Sequence, residues 1–189
     1  MRWFLLSVLF AATAHAQEIV KLNTRPGVTQ SFFIASMGAV KPQAAALLFI
    51  GGGGNIRLRM EEGQPKFGAL NFLPRSRGEF IRNGILPVIM DNPGDQQTAS
   101  GMSDAFRESE AQAPLLFVHH REDACGSTSY QDIPRGVAVF PLVSVKGGKP
   151  PESGPCDPLH AHGFYGREPE TVDAIAAWML KKPFRKEID

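Results

Sequence analysis

The stretch APLLFVHHREDAC, residues 113–125, most constrains what this chain can fold into. Its four consecutive apolar residues at 115–118 suit a strand that is buried on both faces, which is typical of a parallel sheet. A cluster of His, Arg, Glu, Asp and Cys follows directly. Because ligands bind at the carboxyl ends of the strands of an open α/β sheet, the sequence predicts a functional site at this end of the strand.

The first 16 residues have the features of a secretory signal peptide. Arg2 precedes a mostly apolar run at 4–12, and residues 14–16 fit an A-x-A cleavage site. That run is shorter than the roughly 20 residues that span a bilayer, so a membrane anchor is the weaker interpretation. We therefore predict an exported protein, periplasmic or secreted, with residues 17–189 as one mature domain.

Charge does not indicate a macromolecular partner. Loss of Arg2 with the signal peptide removes one positive charge, so the net charge of +1 becomes zero. The chain has no basic stripe for nucleic acid and no polybasic or amphipathic segment for a membrane surface. A small-molecule ligand or substrate is the expected partner, and the sequence makes no prediction of oligomeric state.

A second polar cluster, CDPLHAHGF at 156–164, follows the next strand-like run, GVAVFPLV at 136–143. The two cysteines of the chain, Cys125 and Cys156, lie one in each cluster. An exported protein with two cysteines most simply joins them. We expect a disulfide that ties the Asp123 loop to the His162 loop, so that the two clusters form one site.

The remaining pattern predicts a mainly parallel α/β sheet with flanking helices. Hydrophobic periodicity and turn residues indicate its elements. They are an antiparallel hairpin at 18–23 and 30–37, a buried parallel strand at 44–50, a further strand at 85–90, and helices at 72–83 and 169–182.

Two interpretations remain open for the glycine-rich loop of Gly51, Gly52, Gly53, Gly54 and Asn55. It does not match a dinucleotide or P-loop motif, because Ile occupies position 56 and no G-K-[ST] follows. Glycines after a buried strand suit an oxyanion hole, since backbone N–H groups can approach a developing negative charge. They equally suit a tight turn with positive φ.

The clustered histidines could ligate a metal or serve in catalysis. The candidate metal ligands are His119, His120, Asp123, His160 and His162. Strand alternation sends the first two to opposite faces, and no cysteine is free if the disulfide forms, so we predict no metal and no other cofactor. His162 as a base oriented by Asp123 is the sharper hypothesis, and a structural His with a capping Asp is the alternative.

The order of the motifs resembles the α/β-hydrolase superfamily, specifically its small exported members, over nearly the whole mature chain. The motifs are GGGGN, DNPGD, GMSDAFR, PLLFVHHREDAC and CDPLHAHGFYGREPETVDAIAAW. The resemblance implies serine-type hydrolysis of esters or amides of small molecules. It assigns the oxyanion loop to 51–55, the triad acid to Asp123 and the triad base to His162.

The chain departs from this family at the nucleophile. It contains no G-x-S-x-G elbow, and the nearest approach, Gly101-Met-Ser103-Asp-Ala105, ends in Ala and follows no apolar strand. The segment around 92–113 is shorter than the family pattern by roughly 60 to 90 residues, at about 30 per βαβ unit. We therefore expect a truncated α/β-hydrolase fold with impaired or no hydrolysis, or a non-catalytic binding or vestigial protein. A metal-dependent enzyme that uses the histidine cluster is the weakest of the alternatives. We also expect the strands at 44–50 and 115–118 to pair directly in parallel.

Overall fold

The computed structural model describes residues 17–51, 55–94, 114–132 and 140–189. Within these ranges the chain forms nine strands and three α-helices. The strands are β1 (Glu18–Arg25), β2 (Val28–Ile34), β3 (Ala44–Phe49), β4 (Arg59–Glu61), β5 (Gln64–Lys66), β6 (Ile85–Met90), β7 (Phe117–His120), β8 (Leu142–Val145) and β9 (Glu187–Ile188). The helices are α1 (Phe72–Arg75), α2 (Arg77–Arg82) and α3 (Glu168–Met179), with 3₁₀ turns at Tyr130–Asp132 and Ala161–Gly163. The signal peptide predicted at 1–16 lies outside the described residues.

The first sheet has the strand order β1-β2-β6-β3. The predicted hairpin is confirmed: β1 and β2 pair antiparallel around a turn in which Gly27 has φ +73°, a backbone region that favours glycine. Strand β2 also pairs antiparallel with β6, whereas β3 pairs parallel with β6. The sheet is therefore mixed, and β3 forms one of its edges.

The predicted mainly parallel sheet, a truncated α/β-hydrolase fold, is wrong. Among the described strands, three pairings are antiparallel and three are parallel, and the strands divide into three sheets with few short helices beside them. Parallel neighbours need long crossover connections, whereas two-residue turns join antiparallel strands. Two of the connections, β1 to β2 and β4 to β5, are such short turns, which accounts for much of the antiparallel pairing.

The predicted parallel pairing of 44–50 with 115–118 is also wrong. Strand β7 begins at Phe117 and pairs with β8 in a separate sheet of order β7-β8-β9, while β3 pairs with β6. Among the described strands, each of the two lies at the edge of its own sheet. Only one face of β3 is covered, since Leu47 and Phe49 on the other face are 62% and 43% exposed.

Helix α3 joins the two main sheets, and it confirms the helix predicted at 169–182. Val172 and Ala176 belong to the core between α3 and the first sheet. Ala174 packs instead with Val143 and Val145 of the second sheet. The predicted helix at 72–83 is present as two short helices, α1 and α2. In the described ranges, no helix has the length and hydropathy needed to cross a membrane.

Candidate functional site

Asp123 and His162 lie together at the carboxyl end of β7. Asp123 follows β7 in a turn, and His162 lies in the 3₁₀ turn Ala161–Gly163. The distance from His162 Nδ1 to Asp123 Oδ2 is 3.0 Å. The aspartate side chain is 3% exposed and the histidine side chain 32% exposed. With Nδ1–H donating to the carboxylate, the lone pair of the neutral imidazole is on Nε2.

The carboxylate of Asp123 is held by several hydrogen bonds. The backbone N–H of Cys125 donates to Oδ1 at 2.9 Å, and the hydroxyl of Thr128 donates to Oδ2 at 3.0 Å. Burial alone would raise the pKa of Asp123, but the hydrogen bonds from Cys125, His162 and Thr128 outweigh it and lower the pKa. Asp123 is therefore ionised at neutral pH and can stabilise an imidazolium on His162.

Thr128 is a site residue that the sequence analysis missed. Its Oγ1 lies 3.2 Å from Nδ1 of His162, on the same ring nitrogen as Asp123. A triad nucleophile must instead hydrogen-bond the opposite nitrogen, Nε2. Thr128 therefore supports the carboxylate and does not take the position of a nucleophile. Its sequence signal is weak, because it is one of several hydroxyl residues in the loop after Asp123.

The predicted disulfide is confirmed. Cys125 and Cys156 are bonded across a sequence separation of 31 residues. Cys125 is 2% exposed and follows Asp123 by two positions, while Cys156 belongs to the loop that leads to His162. The bond therefore connects the acid loop to the base loop beside the Asp123–His162 pair.

His162 lines a pocket of about 230 Å³. One wall is formed by the end of β3 and the start of α1, including Gly51, Phe72 and Leu73. The opposite wall belongs to the His162 loop and includes Pro158. The lining is mostly apolar side chains and backbone, with the imidazole as its ionisable group.

The glycine-rich loop reaches this pocket in part. Gly51 lines it, whereas Asn55 is exposed and its side-chain oxygen accepts the N–H of Arg57 at 2.9 Å. Gly52, Gly53 and Gly54 lie outside the described residues. The structure thus brings the start of the loop to the same pocket as His162, and an oxyanion role for 51–55 stays a prediction.

A second residue that the sequence analysis missed, Asp91, fixes the chain that follows this loop. Its carboxylate accepts the N–H of Ile56 and the N–H of Leu58, each at 2.9 Å. Asp91 comes directly after β6, and β6 is the neighbour of β3. The carboxylate therefore ties the chain after the glycine-rich loop to the end of the adjacent strand. Its signal was an acidic residue directly after a buried strand, at the start of the DNPGD motif.

The histidines of the first cluster point to different surroundings. The His120 side chain is buried, donates from Nε2 to the carbonyl of Gly147 at 2.9 Å, and accepts the N–H of Glu122 on Nδ1 at 3.1 Å. Burial lowers the pKa of His120, and the hydrogen bond to Gly147 only partly opposes this shift. His119 packs against the ring of Tyr130. Among the residues that the structure describes, no group of three or more His, Cys, Asp or Glu could hold a metal ion.

No nucleophile completes the pair in the described part of the chain. None of the described residues hydrogen-bonds Nε2 of His162. Ser103, the serine nearest to an elbow motif in the sequence, lies outside the described residues. Comparison with protein-family models, with curated proteins and with solved structures finds no match for this chain.

Proposed function

We propose that this chain is a hydrolase-like protein that keeps the acid–base half of an ester or amide hydrolase and binds a small ligand with impaired or no turnover. The observation that carries the proposal is the hydrogen bond of 3.0 Å between His162 and the buried carboxylate of Asp123, on the wall of a pocket. A carboxylate that holds the tautomer of a histidine is the arrangement used for general-base chemistry.

The pocket favours a small, uncharged ligand. Its volume of about 230 Å³ is below the roughly 300–1,000 Å³ of sites for drug-sized molecules. Phe72, Leu73 and Pro158 supply apolar surface, and His162 supplies the polar contact. A short-chain ester or amide with one apolar group fits these properties.

The positions of the described hydroxyl groups beside the pair support impaired turnover. Thr128 occupies the Nδ1 side of His162 together with Asp123, and Ser127 contacts the sulfur of Cys125 at 3.1 Å. Positioning of reacting groups can be worth roughly 7 to 11 kcal/mol. A serine hydroxyl loses much of this positioning free energy when no strand-to-helix elbow holds it beside Nε2 of His162.

We expect the mature protein to lie outside the cytoplasm. A disulfide between Cys125 and Cys156 is compatible with an oxidising compartment. The A-x-A motif at 14–16 supports removal of a signal peptide. We propose a periplasmic or secreted protein.

The test combines active-site labelling with ester hydrolysis. We expect that a fluorophosphonate probe labels no serine of the mature protein. We also expect that p-nitrophenyl butyrate is hydrolysed no faster than by His162→Ala. His160→Ala is the matched control, because His162, and not His160, is the histidine of this loop that hydrogen-bonds Asp123, and His160 precedes it by two residues. Labelling of Ser103 that is lost in His162→Ala or Asp123→Asn would show a rebuilt triad and contradict the impaired turnover.

Ligand binding is tested separately. N-phenylbutyramide, a small amide with one apolar ring, should shift the imidazole ¹⁵N resonances of His162 in the native protein. The same compound should leave the resonances of His120 unchanged, because that ring is buried against Gly147. Absence of any shift at His162, at concentrations up to the solubility of the amide, would contradict the binding site and favour a vestigial protein.

A further inference from the structure

Arg75 lies at the end of α1 and connects the two walls of the pocket. Its side chain is 16% exposed, and its guanidinium donates hydrogen bonds from the α1 side of the pocket to the His162 loop. Its acceptors are the carbonyl of Leu70, the carbonyl of Pro158 at 2.9 Å, the carbonyl of Gly163 at 2.8 Å and Oε1 of Glu168 at 2.6 Å. The planar fork of a guanidinium allows one side chain to reach several acceptors at once.

Arg75 binds two carbonyls of this loop, those of Pro158 and Gly163, which precede and follow His162 in the sequence. The turn between them is tight, since a Cβ added at Gly163 would lie 2.0 Å from the carbonyl oxygen of Pro158. The next residue, Phe164, has φ +55° and packs its ring 5.0 Å from the ring of Phe72 on α1. The contacts of Arg75 therefore fix both ends of the turn that carries His162.

Glu168 anchors this arrangement at the start of α3. One carboxylate oxygen binds Arg75, and the other accepts the N–H of Gly166 at 2.7 Å. The side chain of Glu168 is 17% exposed, so the ion pair is largely shielded from water. Partly buried charge pairs with several hydrogen bonds hold their geometry better than exposed pairs do.

We propose that Arg75 is a positioning residue, which holds the His162 turn against the start of α1 so that the imidazole keeps its Nδ1–H bond to Asp123 and lines the pocket. The consequence for catalysis or binding rests on the function proposed above. The arginine fork sets the tautomer of His162 whether or not a ligand is bound.

Arg82 provides a matched control. It lies on α2 and makes an ion pair with Asp173 of α3 at 3.1 Å, with both side chains about half exposed. It therefore links the same region of the chain to α3 without contacting the His162 turn. If Arg75 only stabilised the fold, replacing Arg75 or Arg82 would change the free energy of unfolding, and neither replacement would change the tautomer of His162.

The experiment reads the tautomer of His162 in protein labelled with ¹⁵N-histidine, at a pH where the imidazole is neutral. The native protein should show the Nδ1–H form, and Asp123→Asn should lose it. We expect Arg75→Lys and Arg75→Met to shift His162 toward the Nε2–H form that a free imidazole favours. A lysine ammonium cannot span both loop carbonyls and Glu168. Arg82→Met should retain the native spectrum.

Urea unfolding and circular dichroism establish that each variant is folded, and Arg75→Lys keeps the claim testable if Arg75→Met does not fold. A folded Arg75→Lys variant with the native His162 tautomer would overturn the positioning role and leave the proposed function intact. A native protein in which His162 already shows the Nε2–H form would overturn both, since the bond to Asp123 would then be absent.

Discussion

At the scale of single residues, the chemistry of each histidine follows from its hydrogen-bond partners and not from its place in the sequence. His119 and His120 are neighbours, yet one packs beside Tyr130 and the other is buried with both ring nitrogens bonded. His162 has a carboxylate on one nitrogen and no described partner on the other. Of these three rings, that of His162 is the one that lines the pocket, where Nε2 can accept a proton from a ligand.

His120 makes the stability of the fold dependent on pH. Burial lowers its pKa below the ordinary value of 6.5, so the unfolded chain binds a proton more readily than the folded chain. The contribution of His120 to the free energy of unfolding is therefore fully present above pH 6.5, and it is lost as the pH falls from there to the folded pKa.

We expect His120→Gln to weaken the pH dependence of the free energy of unfolding between pH 7.5 and 5.5. At pH 7.5 the variant should be less stable than native by about 1 kcal/mol, because the N–H of Glu122 loses its acceptor. The measurement is the urea midpoint at both pH values. An equal decrease of the midpoint in the native and variant proteins would assign the pH dependence to other groups.

At the scale of elements, the loop that carries Asp123 and the loop that carries His162 are held together by covalent and non-covalent contacts. The disulfide joins Cys125 to Cys156, and Arg75 ties the second loop to α1. These contacts act on the same short 3₁₀ turn, which is too short to hold its own position through backbone hydrogen bonds.

The disulfide should be complete in the native protein and should stabilise it. We expect thiol titration of unfolded, unreduced protein to find no free thiol. For a separation of 31 residues, the chain-entropy model gives a loss of about 3 to 4 kcal/mol in the Cys125→Ala/Cys156→Ala double variant. Chemical denaturation of that variant gives the loss directly. Two reactive thiols per native chain would contradict the prediction.

At the scale of the whole molecule, the described residues form separate sheets and leave Leu47 and Phe49 on one face of β3 exposed. Leu47 and Phe49 are exposed on a strand that forms the edge of the first sheet among the described strands. An exposed apolar edge strand promotes self-association, because it offers both unpaired backbone groups and apolar surface.

We expect the double variant Leu47→Thr/Phe49→Thr to reduce concentration-dependent association while leaving the free energy of unfolding within about 0.5 kcal/mol of native, as for exposed sites in general. Sedimentation velocity over a range of concentrations is the measurement. Val40→Thr is the control, since Val40 is 61% exposed but lies outside the strands. Equal association of the native and double-variant proteins would show that this face of β3 does not promote self-association.

The local sequence pattern was sufficient to predict several secondary-structure elements and part of the candidate site. The hairpin, β3, β6 and α3 follow from apolar periodicity and turn residues, which act between positions close in sequence. The pairing of Cys125 with Cys156 follows because the chain has no other cysteine. The approach of Asp123 to His162 then follows from that bond, since both residues lie within six positions of a bonded cysteine.

Strand neighbours and supporting contacts were decided only by the tertiary structure. The sequence of β3 reads as apolar on both faces, yet which face is covered depends on elements far away in the chain. The roles of Asp91 and Thr128 depend on backbone and side chains that meet only after folding. Arg75 reaches partners 83, 88 and 93 positions away. A local pattern records hydrophobicity and backbone preference, whereas such hydrogen bonds require the packed sheet and helix to bring donor and acceptor within about 3 Å.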